Sequence, residues 1–351
     1  MLQLSRLQKC LNDCATVPMD DKPLIRLGVI GLGKLWETRH RPALERLKSH
    51  FRVVAVYDQV SERARRTAEQ IRCRQADNLE SLIQPDLVDA IYILSPQWFE
   101  TYPAVIAISR GLPVYCSVPV VSIKQAAHLQ KLIQETGVRF MPEFARRYYP
   151  ATQRLDELLR TWLGQVRMIM GHTRMASFDR YGLPGPNTQN TPVSLRVDPM
   201  YFLMDWVRHI IGEKPVRMVE TDTSSGLASG PKTSLKEAEF CSITLQFAGG
   251  AVAQMTCHRH DQARWGDITR VPSGPGFQVF AEKGMAFLEM PDLIRWYDTS
   301  GYHEERLVMS PSIGETLNLE FHHWITGDQY NGPTINDVVA INELWQASSN
   351  R

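Results

Sequence analysis

The feature that most constrains the fold is a regular alternation of apolar runs and amphipathic stretches between residues 25 and 144. The apolar runs are seven to nine residues long, which is typical of strands that are buried on both faces of a sheet. They are IRLGVIGLG (25–33), FRVVAVYD (51–58), VDAIYILSP (88–96), PVYCSVP (113–119) and VRFMPEF (138–144), and helical patterns cover 36–49, 61–72, 99–111 and 122–137 between them. Strands that are separated by helical crossovers predict a parallel, doubly wound sheet.

The second half of the chain favours antiparallel strands instead. CSITLQF (241–247) and AVAQMTCHRH (251–260) flank an Ala-Gly-Gly turn, which predicts a hairpin. FQVFAEKGMAFLEM (277–290) predicts another hairpin, and a helix is expected over 199–212. We therefore predict an α/β fold with an N-terminal doubly wound parallel sheet and a C-terminal α+β domain on a mostly antiparallel sheet. The predicted boundaries are 1–23 for an N-terminal extension, 24–144 for the first domain and 145–351 for the second.

Charge and composition argue against several classes of partner. The net charge is +1 over 351 residues, so no overall field would attract nucleic acid or an anionic membrane. No apolar run is long enough to cross a bilayer, and residues 1–23 lack the compact apolar core of a signal peptide. The six cysteines are scattered and complete no zinc-ligand spacing. The sequence therefore predicts a cytoplasmic protein with reduced thiols and no metal.

The loop after the first apolar run has the beginning of a phosphate-binding pattern. GLGKLW (31–36) starts as G-x-G-x-x-G, in which Gly31 and Gly33 would allow a tight turn. The backbone could then approach a pyrophosphate at the N-terminus of the next helix. Trp36 replaces the third glycine, so we expect its ring to swing outward or to push the helix away from the strand.

An acidic residue ends the next apolar run, as in proteins that bind a dinucleotide. Asp58 lies 25 positions after Gly33. Its carboxylate could accept hydrogen bonds from the adenosine ribose and would repel a 2′-phosphate, which favours NAD over NADP. Arg63 could weaken that preference. The alternative is a flavodoxin-like sheet whose glycine-rich turn holds no dinucleotide.

Taken together, these segments resemble the glucose–fructose oxidoreductase, inositol dehydrogenase and rhizopine-catabolism family (Gfo/Idh/MocA) over residues 24–348. The resemblance lies in LGVIGLG with HRPAL, VVAVYD, NLESLIQPDLVDAIYILSP, GLPVYCSVP, EFARRYYPATQRLDELLRTWLGQV and VDPMYFLMDWVRHIIGEKP. It implies a Rossmann domain followed by a domain with a large open sheet, with NAD(P) at the carboxyl ends of the parallel strands. It also implies a sugar, polyol or related ligand between the domains, and a homodimer or homotetramer formed through the open sheet.

The resemblance also assigns cofactor contacts to two further segments. SPQWFE matches the family's T-P-N-x-x-H motif, and CSVP matches its E-K-P motif. With the glycine loop and the acidic residue, the expected cofactor-binding residues are Gly31, Leu32, Gly33, Lys34, Leu35, Asp58, Ser95, Pro96, Gln97 and Ser117.

Three polar positions of the family motifs are replaced in this chain. Val118 stands where the E-K-P lysine assists proton transfer, and Phe202 stands where the histidine of D-x-G-x-H-x-x-D belongs. Glu100 replaces the histidine of the T-P-N-x-x-H motif. Valine and phenylalanine cannot accept the proton that alcohol oxidation releases, so no catalytic residue is assured.

Other residues are candidates for a rebuilt proton relay. Asp205 and His209 are four residues apart on one predicted helix and share a face. Tyr181 and Arg174 lie on the first strand of the second domain or just after it. Arg146 is placed beside the interdomain cleft by the resemblance, where packing is the alternative role.

Three hypotheses for the function stay open on the sequence alone. The chain is a noncatalytic or sensory protein that binds NAD and a small ligand, or an active dehydrogenase with a rebuilt relay. The third hypothesis is a protein-interaction module with a vestigial cofactor pocket.

Overall fold

The computed structural model describes residues 23–94, 99–117, 122–176, 197–223, 240–260 and 276–349. Within these ranges the backbone alone is described at 174–176, 197–199, 220–223, 240–241, 258–260 and 345–349. The described residues form two sheets, one of six strands and one of eight. None of the helices that the structure describes is both long and apolar enough to span a membrane.

The first sheet is the doubly wound parallel sheet that the alternating pattern predicts. Its strands are β1 (Ile25–Ile30), β2 (Phe51–Tyr57), β3 (Arg74–Gln75), β4 (Ala90–Ile93), β5 (Val114–Cys116) and β6 (Phe140–Pro142). They pair in parallel in the order β3-β2-β1-β4-β5-β6. The strand order reverses between β1 and β4, and ligands of such sheets bind at the carboxyl ends of the strands beside this switch point.

Helices cover both faces of this sheet. They are α1 (Arg41–Arg46), α2 (Ser61–Ile71), α3 (Leu79–Leu82), α4 (Tyr102–Ser109) and α5 (Ile123–Thr136). Along β4, Ile91 and Ile93 pack in one apolar cluster whereas Tyr92 packs in another, because alternate side chains point to opposite faces. A capping box of Ser122 and Gln125 begins α5.

The stretch predicted as one helix over 36–49 is divided. A π-helical turn, Trp36–His40, leads into α1, and Pro42 lies at the start of α1, where a missing N–H is tolerated. The break expected at Pro42 therefore coincides with the change from π to α geometry. Trp36 is only 1% exposed, so the expectation that its ring swings outward is wrong. A π turn is wider than an α turn, and the indole ring lies in the core.

The second sheet is large and mostly antiparallel, as predicted. Its strands are β7 (Val166–Ala176), β8 (Pro215–Thr223), β9 (Phe240–Phe247), β10 (Val252–His260), β11 (Phe277–Ala281), β12 (Gly284–Glu289), β13 (Leu293–Asp298) and β14 (Gly301–Arg306). They lie in the order β14-β13-β12-β11-β7-β10-β9-β8, with a parallel pair at β7 and β10. One face is covered by a helix, α7 (Val197–Ile211), which contacts β7 and β10. On β7, Ile169 points to the covered face and is buried, whereas its neighbour Met170 is 38% exposed.

A short connection joins the two sheets, and the last helices return to the first one. After β6 come a 3₁₀ turn, Ala145–Tyr148, and a helix, α6 (Pro150–Leu158), extended by a π turn, Leu159–Leu163. The final helices are α8 (Ile313–Ile325) and α9 (Ile335–Ser349), and they contact α1 and α5 respectively. A Cβ at Gly314 would lie 2.5 Å from the carbonyl oxygen of Arg39, so the start of α8 needs glycine at this contact.

Candidate dinucleotide and ligand site

The glycine loop has a backbone that only glycine adopts easily. Gly31 follows β1 with φ 89°, and its N–H donates to the carbonyl of Tyr57 at 2.9 Å. Such a positive φ favours glycine because it carries no Cβ. Gly33 then begins the next turn by accepting from the N–H of Glu37. The loop thus ends a buried strand and opens a helix, which is the context that the phosphate-binding pattern requires.

Asp58 holds this loop in place from the end of β2. Its Oδ2 accepts from the N–H of Leu32 at 2.8 Å, and its Oδ1 accepts from the N–H of Val60 at 2.8 Å. The residue is 7% exposed. The Arg63 guanidinium lies 3.3 Å from Oδ2. One buried carboxylate therefore orders the glycine loop and the N-terminus of α2 together, with a cation beside it.

The remaining loop residues differ in exposure. Lys34 is exposed, Leu35 is half-buried and Trp36 is buried. The Nε1 of Trp36 has no hydrogen-bond partner within the described part of the chain. The ring packs in the apolar cluster between the sheet and α8 that includes Phe321, so it fills the core rather than the exposed side of the loop.

The ends of β4 and β5 are partly described. Ser95, Pro96 and Gln97 lie outside the described residues, as does Val118. Ser117 directly follows β5, is 2% exposed, and donates its N–H to the carbonyl of Ile93 at 3.0 Å. Its Oγ has no partner among the described residues. A buried hydroxyl without a partner is costly, so Ser117 Oγ keeps a hydrogen-bonding capacity that the described residues do not use.

Phe202 is placed by α7 at the junction of the two sheets. Its ring centre lies 6.1 Å from that of Phe144, which follows β6, and the two rings meet edge to face. Phe202 also contacts the ring of Tyr201 at 6.2 Å. Phe202 therefore presents an apolar ring that cannot exchange a proton.

Asp205 lies one turn further along α7 in a buried ion pair. It is 1% exposed, and Arg147 reaches its two oxygens through Nε, at 3.0 Å, and Nη2. Arg147 also donates to Asp337 of α9 at 2.8 Å. Burial raises the pKa of Asp205, and the Arg147 charge opposes that effect without cancelling it. The pair ties the connection after β6 to two helices.

The other predicted relay residues do not join Asp205. His209 lies 3.1 Å from Asp156 of α6 rather than pairing with Asp205. Arg174 is described by its backbone alone, on β7, and Tyr181 lies outside the described residues. Within the described part of the chain, no group of three His, Cys, Asp or Glu side chains could hold a metal.

A buried polar cluster that the sequence did not reveal lies under the first sheet. Glu143, just after β6, contacts Nε2 of His40 at 3.1 Å and accepts from Arg39. His40 Nδ1 lies 3.3 Å from Oδ1 of Asn318 in α8. Burial raises the pKa of Glu143, but the charges of His40 and Arg39 outweigh it, so the pKa is lowered to about 2. The cluster joins the π turn before α1, the end of β6 and α8.

Comparison with known proteins supports the family that these motifs indicate. A model of the GFO_IDH_MocA family, described as an oxidoreductase family with an NAD-binding Rossmann fold, matches residues 25–144. Over these residues the chain is similar to the NAD-binding domain of the Gfo/Idh/MocA family.

Two curated relatives show how far the similarity extends. The 2,7-anhydro-N-acetylneuraminate hydratase of Escherichia coli is 25% identical over 66% of this chain and 61% of its own length. The chain thus spans less than two thirds of that relative. Inositol 2-dehydrogenase of Corynebacterium glutamicum is 23% identical over 86% of this chain and 85% of its own length.

A solved structure shows the same fold over both sheets. The myo-inositol 2-dehydrogenase of Lactobacillus plantarum superposes with a TM-score of 0.73 at 20% identity, covering 93% of this chain and 97% of that one. The fold of both sheets is therefore shared with that solved structure.

Glu100, which the resemblance aligns with the histidine of T-P-N-x-x-H, has a distinctive local structure. It has φ 51° and accepts from Nε2 of Gln125 at 2.7 Å. A positive φ is uncommon in residues other than glycine. The side chain is thus bound to the first turn of α5 instead of standing free for proton transfer.

Proposed function

We propose that this protein binds NAD and a sugar, polyol or related small ligand without the proton-transfer groups that most of its family use. The dinucleotide would lie on the glycine loop, with its reactive ring at the ends of β4 and β5. The chain's residues fit this group, because Gly31 has the required φ of 89° and Ser117 has a buried hydroxyl to offer. The cofactor would supply a hydride acceptor when bound.

The cofactor preference follows from the charges at the end of β2. The Asp58 carboxylate is buried and would repel a 2′-phosphate, which favours NAD. Arg63 lies beside it and is about half exposed, so it could turn toward a phosphate and weaken the preference. NAD remains our proposal over NADP, because the carboxylate also fixes the loop through Leu32.

The observation that carries the functional proposal is the aromatic pair of Phe202 and Phe144. An alcohol can give up its hydride only if it also loses a proton, and a positioned acid or base supplies roughly 10²–10⁴-fold of that rate. Phe202 stacks edge to face on Phe144 where the family has a histidine. Asp205 and His209 are engaged by Arg147 and Asp156. We therefore favour a sensory or slow-turnover role over a fast dehydrogenase.

Pairing of two copies through the open sheet is part of the proposal. Met170, Tyr297 and Tyr302 all point to the uncovered face and are 38%, 45% and 51% exposed. Apolar and aromatic groups on one broad face favour burial in a symmetric dimer. A homodimer is the simplest assembly, and a tetramer would pair two of them.

A thermal unfolding assay tests cofactor binding. With ligand at about 100 times Kd, NAD or NADH should stabilise the protein by about 2.7 kcal/mol, and NADPH should give less. The matched control is Lys131→Glu, at an exposed position in the middle of α5, which should respond like wild type. No shift with any of the three nucleotides would contradict the proposal.

A turnover assay tests the loss of the relay. Reduction of NAD, followed at the nicotinamide absorbance band across sugars and polyols, should be slow in wild type. The double variant Val118→Lys/Phe202→His should gain rate, whereas Val118→Ala/Phe202→Leu should not. Fast turnover by wild type would show that other residues transfer the proton.

A further inference from the structure

The segment that would hold the dinucleotide, residues 31–40, is fixed by β2 at its start. The N–H of Gly31 donates to the carbonyl of Tyr57, and the N–H of Leu32 donates to Asp58. Both contacts lie before the helix begins, so they do not set the geometry of the π turn that follows. The end of the segment therefore needs an anchor of its own.

Glu143, which follows β6, supplies that anchor. It is 2% exposed, accepts from Nη1 of Arg39, and lies 3.1 Å from Nε2 of His40. On the other side of the imidazole ring, Nδ1 lies 3.3 Å from Oδ1 of Asn318 in α8. The N–H of Glu143 donates to the carbonyl of Cys116 at 2.8 Å, which fixes the anchor against the end of β5. A buried carboxylate needs partners, and its two partners here are consecutive residues of the π turn.

The π turn decides how the start of this helix is oriented. The N–H of Arg41 donates across five residues to the carbonyl of Trp36, whereas the N–H of Glu37 donates across four to that of Gly33. A return to α geometry would remove one residue from the turn and rotate the residues before it by about 100° relative to α1. The Trp36 ring would then leave the core, and the N–H groups at the start of the helix would point elsewhere.

We propose that Glu143 is a positioning residue for the dinucleotide, because its hold on Arg39 and His40 keeps the π turn and so aims the first N–H groups of the helix at the pyrophosphate. Turns of π geometry are rare, so this one requires a contact that the α form would lose. A helix start binds phosphate only when its N–H groups face the ligand. The inference rests on the proposed function, since Glu143 would prepare the NAD site without touching the cofactor.

Amide hydrogen exchange without nucleotide tests the anchor directly. In Glu143→Gln, peptides that cover residues 31–41 should exchange tenfold or more faster than in wild type, because the segment opens locally. The matched control is Leu288→Ala, since Leu288 is fully buried in the second sheet and its truncation also lowers global stability. The control should exchange like wild type over 31–41. Equal exchange of this segment in Glu143→Gln and in Leu288→Ala would overturn the proposal.

The affinity for NADH gives a second readout. By calorimetric titration, Glu143→Gln should bind NADH tenfold or more weakly than wild type, and Leu288→Ala should bind it as wild type does. Arg39→Met removes one partner of the carboxylate and should weaken binding less than Glu143→Gln, whereas Arg39→Lys should restore most of the affinity. These two variants keep the test valid if Glu143→Gln does not fold.

The outcomes separate this inference from the proposed function. If wild type binds NADH and Glu143→Gln binds it equally well, Glu143 does not position the cofactor site. If wild type binds no NADH, the proposed function fails, and faster exchange over 31–41 in Glu143→Gln alone would still show that this carboxylate fixes the segment.

Discussion

At the scale of single residues, the buried charges decide most of what can be expected of this protein. Glu143 and Asp205 are both almost fully buried, yet their pKa values move in opposite directions. His40 and Arg39 together lower the pKa of Glu143. Asp205 has Arg147 as its cation but also Asp337 nearby, and its pKa is raised.

The depressed pKa of Glu143 makes a prediction for pH. Its folded pKa of about 2 lies below the ordinary value of 4.5, so its contribution to stability is present above about pH 4.5 and is lost as the pH falls toward 2. Glu143→Gln should lower the free energy of unfolding at pH 7 by about 3 kcal/mol. Denaturant titrations at pH 7 and pH 3 measure this.

The difference between Glu143→Gln and wild type should shrink at pH 3. The control is Glu45→Gln, since Glu45 forms an exposed pair with Arg41 and such pairs contribute little. A cost of Glu143→Gln that does not change with pH would mean that packing, rather than the charge, accounts for the loss.

At the scale of elements, the π turn before α1 buries the indole ring of Trp36. In the glycine-rich pattern, a third glycine at this position would let the helix pack closely against the strand. Trp36→Ala should cost roughly 3–5 kcal/mol, because it leaves a cavity under β1 and α8. Trp162, in the other π turn, is 66% exposed, and Trp162→Ala should change stability by about 0.5 kcal/mol or less. Chemical denaturation compares the two, and equal small losses would place the Trp36 ring outside the core.

The glycine loop gives a prediction that separates binding from stability. Gly31→Ala should cost roughly 1–2 kcal/mol because an alanine is strained at φ 89°. It should also weaken NADH binding, since the Cβ would stand between the backbone and the pyrophosphate. Gly137→Ala, at the end of α5 with φ 66°, is the control. It should cost similar stability and leave NADH affinity as in wild type, by titration calorimetry.

Local elements could be predicted from sequence, and distant partners could not. The strand, loop and Asp58 lie within 34 residues, and each is specified by an apolar run, a glycine or a strand end. Arg147 and Asp205 are 58 residues apart, and His40 and Glu143 are 103 apart. No local pattern signals which buried charges meet, so the sequence offers His209 as a candidate partner of Asp205 and does not point to Arg147. The π turn is not predictable either, because in the sequence Trp36 is recognisable only as the replacement of a third glycine.

At the scale of the whole molecule, the open sheet is the surface that an assembly would use. Tyr297→Glu should weaken a dimer, because it places a charge on the face that Tyr302 shares. Sedimentation velocity over a range of concentrations would follow the assembly. Leu24→Glu, at an exposed position before β1, should leave it unchanged. A wild-type protein that sediments as a monomer at all concentrations would exclude pairing through this face.

The return of the final helices has a consequence for how the chain can be divided. Phe321 of α8 packs on Tyr92 and Tyr115 at ring-centre distances of 5.5 and 5.7 Å, and Asn318 bonds the cluster at His40. A C-terminal helix, α8, therefore covers part of the sheet of the N-terminal domain. A fragment that ends at residue 144 would expose the rings of Tyr92 and Tyr115 to solvent. Expression of the N-terminal domain alone therefore requires that residues 313–349 be fused to it.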